Sequence, residues 1–464
     1  MLTNCQRIAV FAALFTNLAQ GSEYQSWALR GADERIEKYR TGQAELEFRL
    51  PDRDASDKSL IVELELKKHV FIFGVSMGQS WALHALPSFS AYRQQMQEIF
   101  NSVSLGFFWS KLEPLRGQIQ KIGYLNDDIQ WAQAHDLSIK GTHLLWHHSL
   151  PGWLDQVTSP ESLEHQITGH IRHLLETYPQ VSTWNAYNEV LGATRKHASN
   201  NAVTRWVAWK GGADAAQAFV LNEVRRIRPN LHYINNHFNF ADDQFVELNK
   251  RLNHLGYPPD VIGLQTHIHT KDQVPSESVL WGALEKYAQL GQPIQLTEVS
   301  VPSSKLFENS KALRSHLVKL RAGGKRDWMK NSRITTPELE AYQAAFIRDF
   351  YTLAFSHPAV EGITYWSGSD LFEWRGSASG LIAINGKPKP AYQALKTLIK
   401  SKWQTRLSAV LPANGRLSFR GYYGYYQGHV TTASGSTSFA FCHSPDHGQT
   451  HVIVIGQVAS PQHC

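Results

Sequence analysis

The stretch STWNAYNEVLG, Ser182–Gly192, has the composition of a β-strand, yet the strand-like run ends in Tyr187, Asn188 and Glu189. Strands usually end in turn-forming residues. An asparagine followed by a glutamate at this point is instead suited to holding a polar ligand. The position of this strand end in the fold therefore decides what it could bind.

Seven other apolar runs have a similar length and are separated by amphipathic segments. The predicted strands are Val70–Gly74, Ser102–Trp109, Ser138–Trp146, Ser182–Glu189, His232–His237, Val261–His267, Pro293–Val299 and Gly362–Ser367. The predicted helices are Tyr92–Phe100, Ile129–His135, Leu163–Tyr178, Ala215–Arg228 and Leu280–Leu290. Eight strands that each precede a helical pattern predict the α/β class and a (β/α)8 TIM barrel. The alternative is a doubly wound open sheet, but no Gly-rich phosphate turn follows the first strand.

Polar and aromatic residues collect at the carboxyl ends of several of these strands. In a TIM barrel these ends share the face on which active sites are built. We therefore expect one polar rim made of LLWHH (Leu144–His148), YNE (Tyr187–Glu189), GLQTHIHT (Gly263–Thr270), QLTEVS (Gln295–Ser300) and TYWSGSD (Thr364–Asp370).

Both flanks of the predicted barrel have alternating, strand-like patterns. Residues 41–72 predict a hairpin or small sheet, and residues 405–458 predict several short strands. The predicted organisation is an N-terminal β-rich segment at 22–69, the barrel at 70–400 and a C-terminal β-rich segment at 401–464. Within the last segment, GYYGYYQG (Gly421–Gly428) predicts either a strand pair that packs on the barrel or an aromatic sugar-binding patch.

The N-terminal residues have the pattern of a signal peptide. Arg7 is followed by the apolar run Ile8–Leu18, which is too short to span a bilayer, and Ala19 and Gly21 are small residues near a cleavage point. We predict removal of residues 1–21 and a secreted or periplasmic protein without a membrane anchor. The net charge of +6 is scattered along the chain, so the sequence does not predict nucleic-acid binding.

Three cysteines are present, and Cys5 would leave with the signal peptide. Cys442 and Cys464 remain as an even pair, for which a disulfide is expected in an oxidising compartment. The histidines of CHSPDHGQTH (Cys442–His451) match no common zinc spacing and predict a solvated loop.

Two glutamates at the predicted rim suit the cleavage of glycosidic bonds. That reaction uses two carboxyl groups: one protonates the leaving oxygen, and the other attacks the anomeric carbon or activates water. Glu189 and Glu298 end the fourth and seventh predicted strands and are the best such pair. Asn188 is placed to hydrogen-bond a sugar 2-hydroxyl, and His267 is placed to keep Glu298 ionised.

These motifs resemble glycoside hydrolase family 10, the xylanase-type enzymes, over roughly Val70–Lys400. WNAYNE (Trp184–Glu189) resembles the acid/base motif of that family and QLTEVS its nucleophile motif. Three further segments match in order along the chain: HLLWHHSLPGWL (His143–Leu154), GLQTHIH (Gly263–His269), and YWSGSDLFEWRG with GLIAINGKPKPAYQAL (Tyr365–Gly376 and Gly380–Leu395).

The resemblance implies that Glu189 is the general acid/base and that Glu298 is the nucleophile of a glycosyl-enzyme intermediate. It implies no metal and no cofactor. The residues that it implies in substrate binding are Trp146, His147, Asn188, Gln265, His267, Trp366 and Trp374.

The second predicted strand departs from the family. The family carries Glu-Asn-x-x-Lys-Trp there, whose polar side chains bind the sugars on the non-reducing (glycon) side. In FNSVSLGFFWSKLEP (Phe100–Pro114) the polar set is replaced by Leu105, Gly106, Phe107 and Phe108. We therefore expect a more apolar glycon pocket, and a substrate that differs from ordinary xylan.

The sequence thus predicts a secreted retaining glycoside hydrolase that cleaves internal β-1,4 linkages of xylan or a related polysaccharide. One alternative is a non-catalytic carbohydrate-binding protein on the same barrel. Another is a β-glycanase for a non-xylan polysaccharide, such as a bacterial one. A metal-dependent hydrolase is a third, for which the candidate ligands are His143, His147, His148, His267 and His269.

Overall fold

The structure is a computed structural model of the 464-residue chain. It describes residues 24–49, 60–78, 80–84, 86–196, 198–331, 335–371, 373–432, 435–445 and 449–454. The predicted signal peptide, residues 1–21, lies outside the described residues, and so does Cys464. None of the helices within the described ranges has the length and apolar character needed to cross a membrane.

Fifteen strands occur in the described residues. They are β1 (Thr41–Arg49), β2 (Ile61–His69), β3 (Ile72–Ser76), β4 (Ser102–Gly106), β5 (Ser138–Thr142), β6 (Thr183–Asn185), β7 (His232–His237), β8 (Val261–His267), β9 (Ile294–Ser300), β10 (Val360–Tyr365), β11 (Arg406–Val410), β12 (Arg416–Tyr422), β13 (Gly424–Thr432), β14 (Gly435–His443) and β15 (Thr450–Val454).

Strands β3 to β10 close into one barrel in chain order, with β10 paired to β3 and every neighbouring pair parallel. Every residue of β8 and β9 is buried, as expected for parallel strands covered on both faces. The predicted (β/α)8 barrel is confirmed, and the doubly wound alternative is wrong.

Eleven of the thirteen α-helices in the described residues lie between barrel strands, whereas the first precedes β1 and the last follows β10. The helices are α1 (Ala32–Arg40), α2 (Ser80–Leu83), α3 (Phe89–Ile99), α4 (Trp109–Leu112), α5 (Gly123–Ala134), α6 (Pro160–Thr177), α7 (Ala202–Trp209), α8 (Ala213–Ile227), α9 (Asp243–His254), α10 (Glu277–Ala288), α11 (Ser310–Asn331), α12 (Pro337–Ser356) and α13 (Pro390–Thr397).

Helix α6 illustrates why these segments are helical. The Ser159 side chain accepts a hydrogen bond from the Ser162 amide and caps the first turn, where Pro160 lacks an amide hydrogen to satisfy. Leu163, Ile167 and further apolar residues at helical spacing form its buried face. The apolar face packs into the main core, which fixes the helix against the barrel.

The predicted bounds of β7 and β8 match the structure, whereas β6 is much shorter than Ser182–Glu189. It ends at Asn185 because the chain turns there, and Glu189 adopts a left-handed backbone conformation with φ of 58°. Strands β4 and β5 also end before Trp109 and Trp146: Trp109 begins the short helix α4, and Trp146 lies in the loop after β5.

The predicted hairpin within residues 41–72 is wrong, because β1 and β2 lie in different sheets. Strand β1 lies between β12 and β15, and β2 lies between β11 and β13, with β14 outermost. Each N-terminal strand therefore finds its partners in the C-terminal flank. The two sheets share one small core, formed by Ala44, Leu46, Phe48, Val62, Leu64, Leu66, Leu417, Phe419, Tyr426, Val430, Phe439 and Phe441.

The GYYGYYQG stretch spans the end of β12 and the start of β13, which lie in different sheets rather than forming a pair. The Tyr426 ring stacks on Phe441 inside the small core at 5.1 Å between centroids. The Tyr422 ring lies 6.3 Å from Phe355 of α12 and so contacts the barrel. These contacts favour packing over the sugar-binding interpretation. Nearby, Cys442 of β14 is disulfide-bonded.

One irregularity of the barrel bears on the site. Along β8 and β9 the register shifts, so that Leu264 pairs with Leu296 but Gln265 pairs with Glu298. The extra residue on β9 is Thr297. Such bulges re-aim side chains next to active sites, and this one sets Glu298 opposite Gln265.

Candidate active site

Glu189 lies in the loop after β6 and is held by hydrogen bonds on both carboxyl oxygens. Nε2 of Gln265 donates to Oε1 at 2.8 Å, and the Trp146 indole Nε1 donates to Oε2 at 3.2 Å. The Glu189 amide donates to the carbonyl of Asn236 on β7 at 2.9 Å. Residues on or just after three different strands therefore hold Glu189, two of them through its carboxyl group.

The surroundings of Glu189 favour its protonated form. Burial raises its pKa to about 7, and the negative charge of Glu298 acts in the same direction. The hydrogen bond from Gln265 opposes this shift without cancelling it. A carboxyl group with such a pKa holds a proton that it can donate near neutral pH.

Glu298 is buried on β9, with 6% of its surface exposed, and also accepts hydrogen bonds on both oxygens. Nε2 of His267 lies 3.1 Å from Oε2, and Nδ2 of Asn236 donates to Oε1 at 3.1 Å. Burial alone would raise the pKa of Glu298, but the hydrogen bond with His267 and the electrostatic effects of His267, His143 and, least of these, Lys140 outweigh it and lower the pKa. Glu298 is therefore ionised where Glu189 is protonated.

Asn236 joins the two halves of the site, although its role was not predicted from the sequence. Its Nδ2 donates both to Glu298 and to Oδ1 of Asn188 at 2.8 Å. Its Oδ1 accepts from the Thr297 hydroxyl at 2.5 Å, which orients the amide. The sequence feature that could have indicated this role is the pair of asparagines in HYINNHFNF, since they stand in the polar second half of a buried strand.

Asn188 lies beside Glu189, as the sequence predicted from their adjacency. Its Nδ2 is buried and makes no hydrogen bond of good geometry to any described residue, although Asn188 is near enough to help lower the pKa of Glu189. A buried amide donor without a partner is costly. A hydroxyl of a bound sugar would satisfy it.

Aromatic rings stand on the β10 side of the pair. The Trp374 ring lies 4.9 Å from that of His267 and is 40% exposed, while the Trp366 ring lies 6.3 Å from His267. The Arg375 guanidinium stacks on Trp374 at 4.1 Å. Trp366 and Trp374 thus form an aromatic wall beside Glu298.

The opposite side is formed by the loop after β5. The Trp146 ring, whose indole contacts Glu189, lies 4.9 Å from that of His143. His147 is buried at 2% exposure, and neither of its ring nitrogens has a hydrogen-bond partner among the described residues. The structure therefore brings Trp146 to the carboxyl pair but leaves His147 beneath the surface, next to Gly192.

The second barrel strand, β4, and helix α4 after it place further aromatic residues near the loop after β5. Leu105 and Phe107 point into the core and are buried. The Phe108 ring lies 6.1 Å from that of His143. The Lys111 ammonium lies 5.3 Å from the Phe108 ring and 5.4 Å from the ring of Trp81, which is 42% exposed. This cluster combines two rings with one cation.

Lys140 is buried in the barrel interior near Glu298. Its Nζ donates to the Thr364 hydroxyl at 3.1 Å and to the Thr297 carbonyl at 3.3 Å, and within the described ranges it forms no ion pair at contact distance. Burial lowers its pKa to about 8.

The histidines considered as metal ligands are not arranged as a metal site. Among the described residues, no group of three or more His, Cys, Asp or Glu is arranged to hold a metal ion.

Comparisons with known proteins agree with this geometry. The family model described as "Glycosyl hydrolase family 10" matches residues 64–398. Endo-1,4-beta-xylanase B of Thermotoga neapolitana is 24% identical over 340 residues, which cover 69% of this chain and 87% of that protein. Anti-sigma-I factor RsgI6 of Acetivibrio thermocellus is 24% identical over 86% of this chain, which spans 46% of that protein.

Among solved structures, xylanase 10B of Thermotoga petrophila in complex with xylobiose superimposes with a TM-score of 0.55. Its sequence identity is 19%, and the match covers 82% of this chain and 99% of that one. This likeness supports the barrel fold.

Proposed function

The chain belongs to glycosyl hydrolase family 10, and we propose that it is a retaining β-1,4-glycanase that cleaves internal linkages of xylan or a related polysaccharide. Glu189 protonates the leaving oxygen while Glu298 attacks the anomeric carbon. Glu189, then ionised, activates the water that hydrolyses the glycosyl-enzyme intermediate. Glu189 gives a proton to the leaving group in the first step and takes one from the attacking water in the second, so the enzyme returns to its starting state.

The observation that carries this proposal is a pair of buried carboxyl groups at the carboxyl face of the barrel, each with hydrogen bonds to both of its oxygens. Their different surroundings shift the two pKa values in opposite directions. Burial raises the pKa of Glu189 to about 7, whereas the pKa of Glu298 is lowered. Pairs of carboxyl groups with diverging pKa values mark acid and nucleophile assignments in enzymes. Asn188 is proposed to hold the sugar 2-hydroxyl, and Trp366 and Trp374 are proposed to stack on the sugar ring.

The test is product release from a panel of β-glycans, with Glu298→Ala as the inactive control. The panel contains xylan, arabinoxylan, glucuronoxylan, cellulose, mixed-linkage glucan and bacterial exopolysaccharides. We expect oligosaccharides from the wild type alone, and NMR of the first product should show the β-anomer. Near-wild-type turnover by Glu298→Ala, or initial release of the α-anomer, would refute the proposal.

Binding of glycans without product release from any panel member would instead favour the non-catalytic carbohydrate-binding alternative. Isothermal titration with the same glycans separates that outcome from simple inactivity. The arrangement of Glu189 and Glu298 argues against the non-catalytic alternative, because a sugar-binding protein does not need one protonated and one ionised glutamate in its site.

A substrate other than plain xylan is favoured by the glycon-side rim of Trp81, Phe108 and Lys111. The Lys111 ammonium has no ion-pair partner among the residues that the structure describes. A glycan that bears carboxylate substituents would supply one. We expect Lys111→Met to lower kcat/KM on uronate-substituted oligosaccharides and not on neutral ones, while the exposed control Lys121→Met changes neither. Equal losses on both substrates would exclude charge recognition.

Export from the cytoplasm is also proposed. Cys442 is disulfide-bonded, and disulfides persist mainly in oxidising compartments. Cell fractionation of the native host protein tests this, and recovery from the cytosol alone would contradict it.

A further inference from the structure

Buried side chains form a hydrogen-bonded relay that starts at Glu298 and passes through His267 and Ser300 to His269. Nε2 of His267 lies 3.1 Å from Oε2 of Glu298, and Nδ1 of the same ring lies 2.7 Å from the hydroxyl of Ser300. The Ser300 hydroxyl lies 3.1 Å from Nε2 of His269. Nδ1 of His269 lies 3.4 Å from the hydroxyl of Ser377. All of these side chains are buried.

When both imidazoles are neutral, each hydrogen bond of the relay has only one possible donor. An ionised carboxylate has no hydrogen to donate, so Nε2 of His267 must carry the hydrogen that Glu298 accepts. Nδ1 of His267 is then an acceptor, and the single hydrogen of the Ser300 hydroxyl is directed to it. The Ser300 oxygen accepts in turn from Nε2–H of His269.

Burial favours the neutral form of both rings. It lowers the pKa of His267 and holds the pKa of His269 well below its ordinary value. The titratable groups that face Glu298 and His267 come from several elements: Lys140 on β5, His143 and Glu189 in the loops after β5 and β6, His269 after β8, and Arg375 after β10. None of these groups reaches Nδ1 of His267, where Ser300 is the hydrogen-bond partner.

We propose that Ser300 and His269 are positioning residues that lock His267 in the Nε2–H tautomer and thereby hold Glu298 ionised and aimed at the anomeric carbon. A neutral histidine in solution exchanges between two tautomers. In the Nδ1–H tautomer, the lone pair of Nε2 would face the carboxylate of Glu298. The role assigned to Glu298 rests on the proposed function, whereas the tautomer of His267 does not.

The relay also connects Glu298 with the loop that carries the aromatic wall. Ser377 lies three residues after Trp374. Its hydroxyl oxygen lies 3.1 Å from Oε2 of Glu373 and 3.4 Å from Nδ1 of His269, and its single hydrogen serves one of these two acceptors. The Trp374 ring itself lies 4.9 Å from that of His267. The wall and the carboxylate are thus fixed to the same pair of histidines.

The experiment compares Ser300→Ala with Ser300→Thr, which keeps a hydroxyl on a strand residue. The matched control is Ser102→Ala, which removes a buried hydroxyl at the start of β4, where it donates to the Ser138 carbonyl at 3.1 Å. Three readouts are taken for each variant: the ¹⁵N NMR shifts of the His267 ring, the kcat and KM values, and the acidic limb of the kcat/KM profile.

For Ser300→Ala we expect a mixture of His267 tautomers, a three- to tenfold lower kcat with unchanged KM, and an acidic limb moved to higher pH. A loss of this size corresponds to one neutral hydrogen bond, about 0.5–1.5 kcal/mol. Ser300→Thr restores all three properties, and Ser102→Ala alters none.

A wild-type tautomer, kcat and acidic limb in folded Ser300→Ala would overturn the relay. So would equal losses in Ser300→Ala and Ser300→Thr at unchanged melting temperature. If the wild type turns over no glycan, the proposed function fails, but the NMR comparison still decides whether Ser300 sets the tautomer.

Discussion

Gln265 and Glu189 are joined by a hydrogen bond of 2.8 Å from Nε2 to Oε1, although Gln265 belongs to β8 and Glu189 follows β6. The same glutamine pairs in register with Glu298 on β9. Gln265 thus connects two parts of the site: its backbone pairs with the strand of the proposed nucleophile, Glu298, and its side chain holds the proposed acid, Glu189.

The pH dependence of kcat/KM should be bell-shaped. The proposed mechanism requires ionised Glu298 and protonated Glu189, so activity should fall as pH drops through the lowered pKa of Glu298. It also falls as pH rises through the pKa of Glu189 at about 7. In Glu189→Gln, measured with an aryl glycoside whose leaving group needs no protonation, the alkaline limb should disappear. Its persistence near pH 7 in that variant would assign the limb to another group.

Gln265→Leu should move the alkaline limb to higher pH. The hydrogen bond from Gln265 stabilises the ionised form of Glu189 and lowers its pKa, so its removal raises that pKa further. The variant should also lower kcat, since Oε1 of Glu189 loses its donor. A limb at unchanged or lower pH in a pH–rate profile would show that the bond does not stabilise the carboxylate.

Asn236→Asp should lower kcat by roughly 10- to 100-fold, the range for loss of one hydrogen bond to a charged group. The substitution keeps the shape of the side chain but removes the Nδ2 donor to Glu298 and Asn188. It also adds a second negative charge near Glu298, which raises the pKa of Glu298 and shifts the acidic limb upward.

Asn235→Asp is the matched control for that charge. Asn235 is the preceding residue on β7 and is equally buried, but its Nδ2 donates to Asn249 rather than to the carboxyl pair. Steady-state kinetics should show a much smaller loss of kcat for this variant in its folded form. Equal effects of the two substitutions would mean that Asn236 acts through the fold.

Lys140→Met should raise stability at neutral pH by on the order of 1 kcal/mol while impairing catalysis. Burial lowers the pKa of Lys140 from 10.5 in the unfolded chain to about 8 in the folded protein. Below about pH 8 the buried charge therefore destabilises the wild-type fold in full, and this destabilisation declines as pH rises from 8 to 10.5. The gain in unfolding free energy should therefore shrink over this interval. Chemical denaturation at pH 7 and pH 10.5 measures it.

The same substitution removes the positive charge that helps lower the pKa of Glu298, so the acidic limb should move to higher pH. A variant that is less stable than the wild type at both pH values would show that the hydrogen bonds of Lys140 outweigh its desolvation.

The barrel was predictable because its strands are buried on both faces, which gives continuous apolar runs such as VIGL at the start of β8. The carboxyl pair was predictable because both residues follow such runs. Asn236 was missed because a hydrogen bond between side chains of different strands depends on register, and the shift at Thr297 is not encoded in any local pattern. The hairpin prediction failed for the same reason, since alternation indicates a strand but not its partner.

Trp374→Ala should raise KM for oligosaccharides roughly 2- to 10-fold with little change in kcat, because a stacked ring adds about 0.5–1.5 kcal/mol beyond area burial. Trp374 is 40% exposed, so its removal should leave the melting temperature nearly unchanged. The matched control is Trp209→Ala on α7, which removes a ring of 47% exposure that lacks the contacts of Trp374 with His267 and Arg375. Initial-rate kinetics on oligosaccharides of increasing length measure both variants. If kcat rather than KM falls, Trp374 contributes to the geometry of His267 and Glu298 instead of to sugar stacking.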